Sequence, residues 1–221
     1  MKRILTAVVC LLIVGAAVAG CGLFQSREPQ VQEESSSSAA PATDEEAAIR
    51  QTVEDAVAAL KAGDGETFNQ LVEYVDGEIS LAGHTIQVKD NRLFPEDGAL
   101  DEDTLALLQG LTGNLACTVT QVTVEGETAQ ITAQVTALDL GAMIQDLAVK
   151  AITGQGEELE RLTTDTAYLA EYLSQNSGST AERTVSFPAV KEGDQWVLQL
   201  DGTVLDAMLG GVVSTLSQLL G

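Results

Sequence analysis

Few side chains in this sequence of 221 residues could carry covalent or proton-transfer chemistry, and their neighbours decide what each can do. The single histidine, His84, lies in "LAGHTIQ", beside a glycine and away from any cysteine or second histidine. A general base needs partners that hold its imidazole, so a turn position of this kind reads as a solvated loop histidine. Cys117 falls in "LACTVTQVTVE", an alternating strand pattern in which a lone thiol behaves as a small hydrophobe. A nucleophilic thiol would want a histidine partner and an electropositive setting. Tyr168 and Tyr172, four apart on one helical face, read as packing residues, and Tyr74 is the only other tyrosine. "GQGEEL" at Gly154 begins like a dinucleotide fingerprint but lacks its third glycine and a preceding strand, so it reads as a loop between helices. The densest acidic run is "PEDGALDEDT", with Glu96, Asp97, Asp101, Glu102 and Asp103. It does not match the ligand spacing of a calcium loop, and a helix N-terminus, whose partial positive charge favours acids, accounts for it. No G-x-S-x-G or S-x-x-K occurs. No catalytic, cofactor-binding or metal-ligating residue is therefore assigned.

The chemistry the sequence does point to is at Cys21. Lys2 and Arg3 open the chain, and residues 4–20 are almost all apolar, with Thr6 the exception. Gly15, Ala16, Ala17, Ala19 and Gly20 crowd the end of that run, as a cleavage site requires. The run is at the short end of what spans a bilayer, which favours a removable leader over a permanent anchor helix. "VAGC", Val18 to Cys21, resembles the lipobox of bacterial lipoproteins. The resemblance implies that residues 1–20 are a signal peptide and that the Cys21 thiol is acylated and becomes the new N-terminus. Two or more acyl chains on one residue meet the two-signal requirement for stable anchoring. The expected location is the extracytoplasmic face of a bacterial cell membrane. Cys10 then leaves with the leader and Cys21 is acylated, so Cys117 has no disulfide partner in the mature chain.

Residues 21–43 follow as the lipidated cysteine and a tether, "GLFQSREPQVQEESSSSAAPAT", with a serine run and little that could enter a core. Random-coil scaling gives it an end-to-end distance of about 25 Å, enough to lift a domain clear of the head groups. The formal net charge is −22, and loss of Lys2 and Arg3 with the leader makes it −24. Such a surface repels nucleic acid and anionic lipid, so no nucleic-acid partner is expected.

Residues 44–221 are a normal length for one domain, and with aromatic residues at only 4% the core must be aliphatic. "TDEEAAIRQTVEDAVAALKAGD" reads as a helix capped by Thr43 or Asp44, with Ile49, Val53, Val57 and Leu60 inward. "GETFNQLVEYV" reads as a second helix and "DEDTLALLQGL" as a third. Period-two alternation then predicts a hairpin turned at Glu125-Gly126, with Ile131, Ala133, Val135 and Ala137 on one face. A helical insertion covers about 138 to 175. A second hairpin turns at residues 192–194, with Trp196 as a core anchor, and a last helix runs from about Thr203 to Leu220. Its apolar stripe is expected to pack on the insertion helix that starts at Leu140, with Gly210 and Gly211 allowing close approach. The sum is an α+β domain: an antiparallel sheet of two hairpins with helices packed on one face.

"TVEDAVAALKAGDGETFNQL" resembles the opening helices of the cystatin-like cone fold of the nuclear transport factor superfamily. "VKEGDQWVLQLDGTVLDAMLGG" is similar to the end of a family of uncharacterised lipoproteins of Gram-positive bacteria. The resemblance implies the cone fold and an envelope location, and it brings no activity. The leading expectation is a non-enzymatic surface lipoprotein, joined to the membrane through Cys21, whose domain binds an envelope protein or a small apolar ligand. An enzyme using the cone cavity and a purely structural envelope protein are the alternatives. A polar constellation in a closed cavity would favour the enzyme, and an open apolar groove the binder.

Overall fold

In the computed structural model the described residues are 43–75, 78–81, 84–87, 92–152, 160–162, 164–176, 178–211 and 214. Helix α1 (Asp44–Ala62) opens on a capping box: Thr43 accepts from the Glu46 backbone, and the Glu46 side chain accepts from the Thr43 backbone. It ends where Gly63 adopts φ 75° and the Asp64 N–H reaches back to the Ala59 carbonyl at 2.9 Å. A side chain at Gly63 would push aside the tip of Leu105, and the positive φ is what makes this turn favour glycine. Asp64 then caps α2 (Gly65–Leu71).

The expected second helix is shorter than its sequence suggested. Its last residues form strand β1 (Val72–Tyr74), in which Val72 and Tyr74 are buried and Glu73 faces out. The β-branched Val72 leaves the helix at φ −131°, and the strand pairs in parallel with β7 (Gln195–Leu200) through Val72↔Leu198 and Tyr74↔Leu200. The sheet is therefore mixed where a wholly antiparallel one was expected. A small separate hairpin, β2 (Glu78–Leu81) with β3 (His84–Gln87), follows.

Helix α3 (Glu102–Thr112) is capped by Asp101 and carries Glu102 and Asp103 in its first turn, the positions that favour acids. Strands β4 (Ala116–Glu125) and β5 (Thr128–Leu138) form the first expected hairpin, and Gly126 supplies the positive φ of its turn. Helix α4 (Leu140–Ile152) and helix α5 (Thr166–Gln175) build the insertion, with Asp165 interrupting the helical run as the α5 cap. Residues 153–159, including the Gly154 segment, lie outside the described residues. Strand β6 (Thr180–Glu192) pairs with β5 on one side and with β7 on the other, and Gly193 and Asp194 make the second turn. The five-stranded sheet runs β1-β7-β6-β5-β4.

Helix α6 spans Gly202–Met208. Gly210 and Gly211 both take positive φ and break the helix expected to run on from Thr203; Ser214 is helical again, and residues 212–213 and 215–221 of the expected span lie outside the described residues. The described part of the α6 stripe packs elsewhere than expected, while Val212, Leu216 and Leu219 lie outside the described residues. Val204, Leu205, Ala207 and Met208 join the core on the sheet, with Ile49, Phe68, Ile131, Val135, Phe187 and Trp196. Leu140, Met143 and Leu147 of α4 belong to a second cluster with Leu107, Leu111, Leu162, Leu169, Tyr172 and Leu173. The two parts meet at Gly210, where a Cβ would lie 2.3 Å from the Leu138 carbonyl and 3.2 Å from Leu140. The foreseen close approach is thus real, but it joins the chain after α6 to the start of α4 rather than two helix faces. The architecture is α+β, with α1 and α6 over the face that carries Ile131, Ala133, Val135 and Ala137.

Candidate functional site

An open groove of about 420 Å³ lies between α1 and α2. Ala58, Ala59, Ala62 and Leu71 line it, and Asp55, Asp64 and Thr67 supply its polar groups. Small side chains on the last turns of α1 create it: alanine holds the helix at low entropic cost while leaving room beside α2. The Gly63 turn brings α2 back against α1. Asp64 is fixed by two bonds, accepting from the Thr67 backbone at 3.0 Å and the Thr67 hydroxyl at 2.7 Å. These bonds hold its carboxyl below the ordinary range. Asp55 accepts from Gln51 at 2.8 Å. The groove therefore combines an apolar floor with two carboxylates.

A second polar arrangement ties the start of α1 to the β6–β7 hairpin. Glu45 accepts from Lys191 Nζ at 2.6 Å and from Trp196 Nε1 at 2.9 Å, across 146 and 151 positions of sequence. The two donors lower the Glu45 carboxyl, and the Glu45 bond raises Lys191. Lys191 also lies 5.8 Å from the Trp196 ring centre. Trp196 is only 2% exposed, so it anchors the core and offers no stacking platform. This arrangement binds parts of the fold to each other.

The remaining candidates are separated. His84 opens β3 opposite Leu81, and its side chain lies outside the described residues. Cys117 is half-buried on β4, and burial pushes its thiol up to about 11, which suppresses the thiolate at neutral pH. Tyr172 is buried in the second cluster, and Tyr168 stacks against Arg161, whose guanidinium carbon lies 3.9 Å from the ring centre. Asp101 accepts from the Thr104 backbone at 3.2 Å, and Asp97 accepts from the Ala99 backbone at 3.2 Å. Among the described residues no three histidine, cysteine, aspartate or glutamate side chains gather to hold a metal ion, and no helix is long and apolar enough to cross a membrane. Cys21 and the leader lie outside the described residues.

No family model, curated protein or solved structure matches the chain.

Two features had little signal in the sequence. The groove rests on alanines, which hydrophobic periodicity barely registers, although Ala58 and Ala62 are spaced one turn apart before a Gly-Asp-Gly turn. The segment 92–98 folds across α2 and β1: Phe94 meets Phe68 at 5.4 Å, the Pro95 carbonyl accepts from Asn69, and the Leu93 N–H donates to the Tyr74 hydroxyl. Gly65 and Gly98 approach each other too closely for a side chain on either. Those glycines were the available clue.

Proposed function

We propose that this chain is a bacterial lipoprotein held at the extracytoplasmic face of the cell membrane by acyl chains on Cys21. Its domain, of the cystatin-like cone type found in uncharacterised lipoproteins of Gram-positive bacteria, binds a ligand or another envelope protein without catalysing a reaction. The observation that carries this reading is the series Lys2, Arg3, an apolar run, and Val18-Ala19-Gly20-Cys21. The serine-rich segment that follows supports it, because a tether is what a lipid-anchored domain needs to stand off the head groups. The binding half is supported by the α1–α2 groove, open and floored by Ala58, Ala59, Ala62 and Leu71. Its carboxylates favour an apolar group flanked by positive charge.

Fatty-acid labelling in cells tests the anchor. The natural chain should take up label and fractionate with membranes, and Cys21→Ser should remove the label and leave an uncleaved or soluble protein. Equal labelling of the two would refute the lipoprotein reading. Ala58→Trp, at an exposed position of the groove lining, should abolish binding of its ligand while leaving the fold intact.

A further inference from the structure

The two ends of the sheet are protected very differently. At one end β1 is a strand of three residues, too short to template another chain. At the other, β4 offers ten residues, "ACTVTQVTVE", with no proline, no lysine and no charge before Glu125. Its core-facing residues Cys117, Val119, Val122 and Val124 are only partly buried, and among the described residues no strand lies beyond them. Such an edge carries backbone donors and acceptors beside incompletely covered apolar side chains, and of these the carbonyls of Leu115 and Val119 are met by side chains, those of Lys61 and Arg50.

The β4 irregularity decides what this edge can pair with. Up to Val119 the strand is in one register with β5, and from Gln121 it is in another, so Thr120 is an extra residue. The extra residue changes which side chains share a face: Cys117, Val119, Val122 and Val124 point to the core, and Ala116, Thr118, Gln121 and Thr123 point away. In consequence the strand is complementary to an antiparallel copy of itself. In one register Val119 opposes Val122 of the second copy and Cys117 opposes its Val124, all on the core face. On the outer face Thr118 opposes Thr123, and Ala116 opposes Glu125. Without the bulge this register would oppose residues pointing to opposite faces. Valine–valine and threonine–threonine cross-strand pairs are favourable ones.

Charge agrees with the pairing. Lys61 donates to the Leu115 carbonyl at 3.0 Å, at the start of β4, and Glu125 lies at its end. Antiparallel pairing brings the Glu125 end of each copy to the Lys61 end of the other. Near the middle, Arg50 donates to the Val119 carbonyl. Pairing there exchanges that side-chain bond for a backbone one.

We propose that β4 is a homodimer edge, joining two copies into a continuous ten-stranded sheet about a two-fold axis between Thr120 and Gln121. Because each copy carries a net charge of −22, repulsion between the copies outweighs the complementarity of Lys61 and Glu125, and added salt should strengthen the dimer by screening it.

Disulfide trapping in the full-length chain tests the register. With Cys10→Ser, Cys21→Ser and Cys117→Ser as background, Thr118→Cys together with Thr123→Cys should give a covalent dimer on mild oxidation, because these exposed positions face each other directly. Thr118→Cys alone should give none, since its two copies would lie about 17 Å apart along the strands. Thr123→Lys, also exposed, should shift the otherwise unmodified chain from dimer to monomer in sedimentation. Absence of the trapped dimer, equal trapping by the single-cysteine chain, or trapping only to a protein of different mass would overturn the proposal.

Discussion

The core on the sheet and the core of the helical insertion are both aliphatic, yet they are held together in different ways. The sheet core draws residues from α1 at one end of the domain to α6 at the other, and bonds remote in sequence, Lys191 and Trp196 to Glu45, fasten it. The buried residues of the insertion core, among those described, come from 107–173, with Gly110 letting α3 close on Ala170 and Leu173 of α5. Long-range ties make the first cooperative with the whole fold. The nearer origin of the second lets it open as a smaller unit.

Substitutions in each core can break this comparison. The largest expected effect is that of Trp196→Ala, which removes a side chain 2% exposed together with the donor to Glu45, and should cost about 3 to 5 kcal/mol. Denaturant melts should show one cooperative transition at lower midpoint. Leu173→Ala, in the insertion core, should cost about 2 to 5 kcal/mol. Hydrogen exchange should then show lost protection in α3 and α5 while β5 and β6 keep theirs. Equal loss in both regions would merge the two cores into one unit.

The smallest effect belongs to the half-buried pair of Glu45 and Lys191. The Glu45 carboxyl is lowered, so its contribution is present above the ordinary carboxyl value of 4.5 and is lost as pH falls through the lower folded value. Lys191 is raised, so its contribution is present below 10.5 and is lost at higher pH. Stability melts of the natural chain and Glu45→Gln should therefore differ at neutral pH and converge below pH 4.5.

The contrast also explains what the sequence could tell. Both long hairpins were legible because alternation is local, and Gly126 and Gly193 mark their turns. Helix α1 was legible through Thr43, its apolar spacing and Gly63. Strand β1 was not, because Val72 also continues the helical spacing of Phe68 and Leu71; only parallel pairing with Leu198 and Leu200 turns it into a strand. The end of α6 was missed because an apolar stripe runs through Gly210 and Gly211, whose positive φ values outweigh it. At the site, Glu45 was one of 33 acids until folding brought Lys191 and Trp196 to it. The groove alanines had no motif at all, whereas the anchor proposed at Cys21 rests on linear sequence alone.

That anchor is the central functional claim, and the mass of the mature N-terminus tests it most directly. Protein recovered from membranes should yield an N-terminal fragment that begins at Cys21 and carries the added mass of a diacylglycerol. A fragment beginning at Met1, or an unmodified Cys21 in the membrane-bound protein, would contradict it.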